Sequence, residues 1–244
     1  ATTALVTGVL TTTAATVFNG GFTANDGSII TTADNTTQLS LISTDTDANT
    51  GPVFVLWRNS ANSADGDNTG KIAFQGEDDA GNKTTYSTID TFISDNTNGT
   101  EDGQLALKTV VAGTERHRIN MESAETVIND DSVDLDFRVE SNGNANMLFV
   151  DGGENRIGIG TNAPATDVHI QKSSATAILR LHRTGATNAA NAALGQLEFF
   201  NADGTGDGPN VTSKIVGSTF TSTGAGGNLE FYTHDSSESG GEGS

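Results

Sequence analysis

An all-β fold is predicted by three observations. Apolar and polar residues alternate with a period of two through most of the chain. In SVDLDFRVES, Val133, Leu135, Phe137 and Val139 fall on one side, and Asp134, Asp136, Arg138 and Glu140 on the other. That alternation marks a half-buried strand. The alternating stretches are separated by turn-rich clusters such as NSADGDNTG, DDAGN, DNTNGTEDG and NADGTGDGPN. Their Gly, Asn and Asp supply the positive φ angles and side-chain turns that hairpins need. No segment of about twelve or more residues carries a helical apolar stripe. ESAETVIND, residues 122–130, is the one stretch with room for a helical turn.

The elements follow in order. Residues 1–35 are Thr-rich, with short apolar steps at Leu5, Val9, Leu10, Val17, Phe18, Ile29 and Ile30. Each step is too short to bury itself on one chain, which predicts a β stalk with a core shared between chains. Residues 36–121 form a first β module, with strand signals at Leu39 and Leu41, Ile72 and Phe74, and Leu105 and Leu107. It closes with ERHRINM, Glu115 to Met121. Residues 122–165 are a connector, and residues 166–244 a second β module, with strand signals at Val168 and Ile170 and at Leu229 and Phe231.

The two modules repeat one pattern. GKIAFQGE from Gly70 recurs as GQLEFFNA from Gly195, and VLWRN from Val55 recurs as RLHRT from Arg180, both 125 residues on. GQLALKT from Gly103 recurs as GNLEFYT from Gly227, 124 on. Matched segments at one offset predict a duplicated β unit of the sort that builds extended proteins. The second copy tracks the first through FYTH at Phe231 to His234 and then reads DSSESGGEGS. It lacks a counterpart of Arg116, Arg118, Ile119 and Met121. The second module is therefore expected to be incomplete. Residues 235–244 are expected either to be poorly ordered or to continue in the native gene into a further strand.

Composition narrows the function classes. Hydrophobic residues are 34% of the 244, with a single Trp and two Tyr. Such a chain fills a core thinly, and oligomerisation is one remedy. A net charge of −19 argues against nucleic-acid binding, which needs clustered Lys and Arg. Cysteine is absent, so disulfides, thiolate metal sites and Cys nucleophiles are excluded. No apolar run approaches the roughly 18 residues of a membrane helix, so no membrane insertion is expected. The opening ATTALVTGV has no basic stretch, so a secretory signal is not expected there.

Candidate chemistry is sparse. GIGTNA, Gly158 to Ala163, formally matches a dinucleotide fingerprint, but Pro164 and an alternating strand follow where a helix must stand. Its glycines are read instead as permitting a tight turn or close backbone approach. Asp45, Asp47 and Asn49 alternate in STDTDANTG, and hard oxygens so spaced can wrap calcium. The EF-hand pattern is not met, because Thr50 holds its glycine position and Leu56 its glutamate position. Solvated turns are the first reading of that loop, calcium the second; no other cofactor is expected. His117, His169, His182 and His234 show no metal-pair spacing, and His169 points away from Val168 and Ile170. No Ser-His-Asp arrangement stands out, and Trp57, Tyr86 and Tyr232 supply little for a sugar-binding cleft. No enzymatic activity is expected.

NMLFVDGGENRIGIGTNAPATDVHI resembles a motif frequent in the fibre proteins of tailed phages: a strand, Val-Asp, a polar turn, an Ile-Gly-Ile-Gly-Thr step, then Pro and another strand. The matching positions are Phe149, Val150, Asp151, Ile157, Gly158, Ile159, Gly160, Thr161 and Pro164. QLSLISTDTDANTGP, GKIAFQGEDDAGN and TERHRI are also similar to phage-fibre sequence, so the resemblance spans most of the chain. It implies a parallel homotrimer in the virion, with an elongated stem of β-sandwich-like or intertwined β-prism modules joined by a β-helical connector. Its partners would be copies of itself, other virion proteins and a host surface glycan or protein. Ile157 and Ile159 would then point into an interchain or intermodule core. The alternatives are a bacterial surface adhesin and a polysaccharide-degrading tail spike.

Overall fold

The computed structural model describes residue 24 and residues 27–185, 189–205, 209–221 and 226–233. Most of the expected stalk, His234 and the last ten residues lie outside the described residues. The chain divides into two units, Ala1–Ala61 and Asn62–Ser244.

The described part of the first unit holds no strand and no helix. The alternation at Leu39 and Leu41 therefore does not become a strand, and both side chains are exposed. Local side-chain turns set the backbone instead: Asp34 accepts from the Thr36 N–H, and Asp47 from the Asn49 N–H.

The described part of the second unit is all-β, with twelve strands in three open sheets and no helix. The first sheet is an antiparallel meander of β1 (Asn68–Glu77), β2 (Lys83–Asp95), β3 (Asp102–Val111), β4 (Thr114–Met121) and β5 (Thr126–Ile128). Asp78 closes its first hairpin by accepting the N–H groups of Ala80 and Asn82 at 2.9 and 2.8 Å. A two-residue turn with positive φ at both Ala112 and Gly113 closes β3 onto β4, as hairpin twist requires. The stretch with room for a helical turn instead supplies β5, which pairs Ile128 with Ile119.

The middle sheet orders β6 (Phe137–Ser141), β7 (Asn144–Asp151), β8 (Arg156–Ile159) and β9 (Val168–Ile170). Val133 and Leu135 precede β6 rather than belonging to it. Asn129, at φ 62°, donates through Nδ2 to the Val133 carbonyl at 2.8 Å and holds that segment in a turn.

The third sheet is β10 (Ala193–Asn201), β11 (Asn210–Thr219) and β12 (Gly227–Thr233), again antiparallel. Its register reproduces that of β1–β3. Ile72 pairs with Ile89 and Ile89 with Leu107; Leu197 pairs with Ile215 and Ile215 with Phe231. The β1–β2 ladder shifts between Asn68 and Gly70 and between Phe74 and Gln75. The β10–β11 ladder shifts between Ala193 and Gly195 and between Phe199 and Phe200, 125 residues on in each case.

β8 and β9 pair in parallel, joined only by residues 160–167, where parallel strands ordinarily need a crossover of a dozen or more residues. Glycine makes the short path possible. A Cβ on Gly158 would lie 2.2 Å from the Thr161 carbonyl oxygen. One on Gly160, which sits at φ +82°, would lie 2.1 Å from the Gln171 carbonyl oxygen. Gly160→Ala should therefore destabilise the protein by about 3 kcal/mol or more, through combined clash and left-handed strain. Gly143→Ala, with open space around it, should be near neutral. Equal urea midpoints for the two variants would contradict this account.

Candidate functional site

In a strand, alternate residues share a face, and directly paired residues share it across the ladder. One face of each sheet consequently carries a continuous apolar rung. In the first sheet a single rung runs Ile72–Ile89–Leu107–Ile119–Ile128 across all five strands. In the middle sheet a rung runs Phe137–Val150–Ile157–Val168 across all four. In the third it is Leu197–Ile215–Phe231. None of these residues is buried, and Phe137, Ile157, Val168, Leu197 and Phe231 are all exposed.

The opposite faces are polar but better covered. The neighbouring rung of the first sheet is Lys71–Asp90–Ala106–Asn120. Asp90, Ala106 and Asn120 are each at most 2% exposed. Lys108 Nζ lies 3.1 Å and Lys71 Nζ 3.6 Å from Asp90 Oδ2. Glu115 bridges the same two lysines at 3.6 and 4.0 Å, and the Thr88 hydroxyl donates to it at 3.1 Å. Long side chains folded over a single layer thus dehydrate its centre. Asp90 Oδ1 has no hydrogen-bond partner there.

The third sheet places Gln196–Val216–Glu230 on the equivalent rung. The carboxylate and its small cross-strand neighbour have exchanged strands: Asp90 faces Ala106, whereas Val216 faces Glu230. Glu230 accepts from the Ser218 and Tyr232 hydroxyls, which hold it below the usual carboxylate range. Lys214 sits 4.8 Å over the Tyr232 ring, as Lys108 sits 5.1 Å over Phe92.

The connector residues form one compact unit. Ile157 and Ile159 lie on the apolar face, 39% and 41% exposed. Gly158 lies on the other face, on the rung Arg138–Phe149–Gly158–His169. Thr161 and Pro164 are buried; the Thr161 hydroxyl accepts the Ala163 N–H, and Arg156 donates to the Pro164 carbonyl. His169 is half-buried and accepts the Ala165 N–H through Nδ1 at 3.3 Å.

Asp45, Asp47 and Asn49 follow one another in exposed side-chain turns. Asp45 accepts the Asp47 N–H, and Asp47 accepts both the backbone and the side-chain N–H groups of Asn49. Among the described residues, no group of three or more His, Asp or Glu side chains is placed to hold a metal ion.

An open concavity of about 750 Å³ at one end of the first sheet carries Asp95, Glu101, Asp102 and Glu122 with one aromatic residue, Phe92. Asp95 is occupied by Thr97 and Thr100. Sequence reasoning missed the pairing of His117 with Asp131. Asp131 accepts the His117 backbone N–H at 2.6 Å and meets its ring Nδ1 at 3.1 Å. No sequence signal joins two residues across an unforeseen β4–β5 turn.

A scan against protein-family models finds no match, and a search of curated proteins finds none.

Two predictions follow from these contacts. Ala106→Glu alone would set two carboxylates on one rung and destabilise the sheet. Combined with Asp90→Val it copies the third sheet, so the double variant should be more stable than the sum of the singles by about 1 kcal/mol or more. Strict additivity in urea unfolding would refute the equivalence of the rungs. The hydrogen bond from the His117 backbone N–H holds Asp131 below the usual carboxylate range. Its stabilisation is complete above the ordinary value and is lost as pH falls through the lowered one. Asp131→Asn should therefore reduce the parent's loss of stability as pH falls below the ordinary carboxylate range. An unchanged acid limb would rule this out.

Proposed function

We propose that the chain is a stem segment of a phage tail fibre or similar virion appendage, assembled as a parallel homotrimer. One observation carries this: a continuous, uncharged apolar rung, none of it buried, runs across each of three successive sheets. Three copies wrapped about one axis give every such rung a partner and close the sheet edges. The recurrent register and bulges of the first and third sheets support duplicated β modules, with the Ile-Gly-Ile-Gly-Thr segment as the β-helical connector between them.

The placement in a phage virion is supported by the resemblance of the connector and of the first module to phage-fibre sequence. The work of such a stem is mechanical. It holds a tip away from the particle, and threefold copying presents that tip multivalently to a host glycan or protein. Its other partners are neighbouring virion proteins. The proposal assigns the chain no catalysis, and the stem role requires no metal.

Sedimentation equilibrium should give about 75 kDa, three times 25.1 kDa. Ile157→Asp should shift the protein toward monomer. A folded parent monomer at micromolar concentration would overturn the assembly. Antibody labelling of purified particles should decorate an appendage, and its absence there would overturn the placement.

A further inference from the structure

Asp90 on β2 and Lys108 on β3 share the face opposite the apolar rung. They are diagonal neighbours, because Asp90 pairs with Ala106 and Thr88 with Lys108. Lys108 Nζ lies 3.1 Å from Asp90 Oδ2, and the two side chains are 11% and 3% exposed. The Phe92 ring stands 5.1 Å from the same Nζ and limits where the amine can turn. A buried carboxylate kept only for stability should have both oxygens satisfied. Asp90 Oδ1 has no hydrogen-bond partner.

We propose that Lys108 and Asp90 join in an intramolecular isopeptide bond, formed by the folded chain itself. A second carboxylate stands where the proton transfers need one. Glu115 Oε2 lies 4.0 Å from Lys108 Nζ, and the Thr88 hydroxyl holds Glu115 Oε1 at 3.1 Å. Glu115 takes a proton from the Lys108 ammonium and frees the Nζ lone pair, which attacks Asp90 Cγ. The Cγ–Nζ bond forms and the Cγ–Oδ1 bond breaks. Glu115 passes that proton, and then a second from the nitrogen, to the departing oxygen, which leaves as water. Glu115 ends unchanged, and the amide keeps one N–H. Lys71 Nζ, 3.6 Å from Oδ2, stabilises the negative charge that gathers on that oxygen during the attack. The product replaces two largely buried charges and an unpaired oxygen with one neutral amide.

Two comparisons fix the partners. The Lys71 side chain is 43% exposed and its nitrogen is farther from Oδ2, so the nearer and better desolvated Lys108 is the nucleophile. The third sheet cannot form the bond, because Val216 stands where Asp90 stands and Tyr232 where Lys108 stands. The bond would close the hairpin 90–108 covalently, as a disulfide closes a loop, in a chain that has no cysteine. The inference concerns one strand pair within one chain and does not depend on the trimer.

The test is the intact mass of the purified full chain, followed by tandem mass spectrometry of its proteolytic peptides. The parent should be lighter than its sequence mass by one water, with a branched peptide joining Asp90 to Lys108. Lys108→Arg keeps the charge but lacks the amine, and should show its full sequence mass. Glu115→Gln should close the bond at least about a hundredfold more slowly, with circular dichroism confirming that it is folded. A parent that keeps its full sequence mass after prolonged incubation under folding conditions would overturn the proposal. So would loss of water confined to a peptide that contains Asp90 but not Lys108, or a bond to Asp90 that persists in Lys108→Arg. Bond formation at the parent's rate in folded Glu115→Gln would overturn the proton relay.

Discussion

A single-layered sheet has two faces, and in this chain one face of each sheet carries an apolar rung from edge to edge. Fully burying a Leu, Ile or Phe side chain contributes about 1.5–3 kcal/mol. The rung Ile72–Ile89–Leu107–Ile119–Ile128 is already half-buried at its three inner positions, so closing it would add only part of the roughly 7–15 kcal/mol that full burial of five such side chains contributes. Ala106, Phe149, Pro164 and Val216 are the buried apolar side chains among those described. The described strands therefore leave part of their apolar contribution unrealised. Ordering each residue still costs on the order of 1–2 kcal/mol of backbone entropy. This imbalance makes a shared core the natural completion of the fold.

The polar faces solve the opposite problem without a second layer. Lys71 and Lys108 pair with Asp90, and Glu115, which accepts the Thr88 hydroxyl, meets both lysine heads. Leaving Asp90 Oδ1 without a partner costs on the order of 1–3 kcal/mol. The two ammonium groups offset that by keeping the buried carboxylate paired. In the third sheet, hydroxyls replace ammonium groups around Glu230. The carboxylate moves one strand over while the small residue moves back. A carboxylate is kept on the rung although neither position keeps its residue.

Alternation made the strands legible wherever a partner strand existed to use it, as at Ile72 and Phe74 or Leu229 and Phe231. It misled where none did. Leu39 and Leu41 alternate as cleanly as strand residues but pair with nothing described. Val133 and Leu135 alternate into a turn because Asn129 captures the Val133 carbonyl. Spacing within a segment cannot report such long-range competition for backbone groups. The repeat announced the third sheet, yet the matched bulges at Phe74 and Phe199 were not visible in it. A bulge changes which residues pair, and the sequence records only which residues are present. The glycines of the connector were legible as sites of close approach. The atoms they approach, the carbonyls of Thr161 and Gln171, depend on the β8–β9 crossing and were not.

That crossing shows how a short motif can serve two faces. In the parallel pair, Ile157 meets Val168 and Ile159 meets Ile170, so the apolar face continues unbroken onto β9. The intervening Gly158 points the other way. With no side chain it lets the chain fold back, so that the Thr161 carbonyl comes close beneath it. A side chain at Gly158 or Gly160 would push residues 160–167 outward and break the Ile157–Val168 register. Isoleucine extends the apolar face, and glycine lets the return path close short enough to keep that face continuous. The two residue types alternate in Ile-Gly-Ile-Gly because the two requirements fall on opposite sides of one strand.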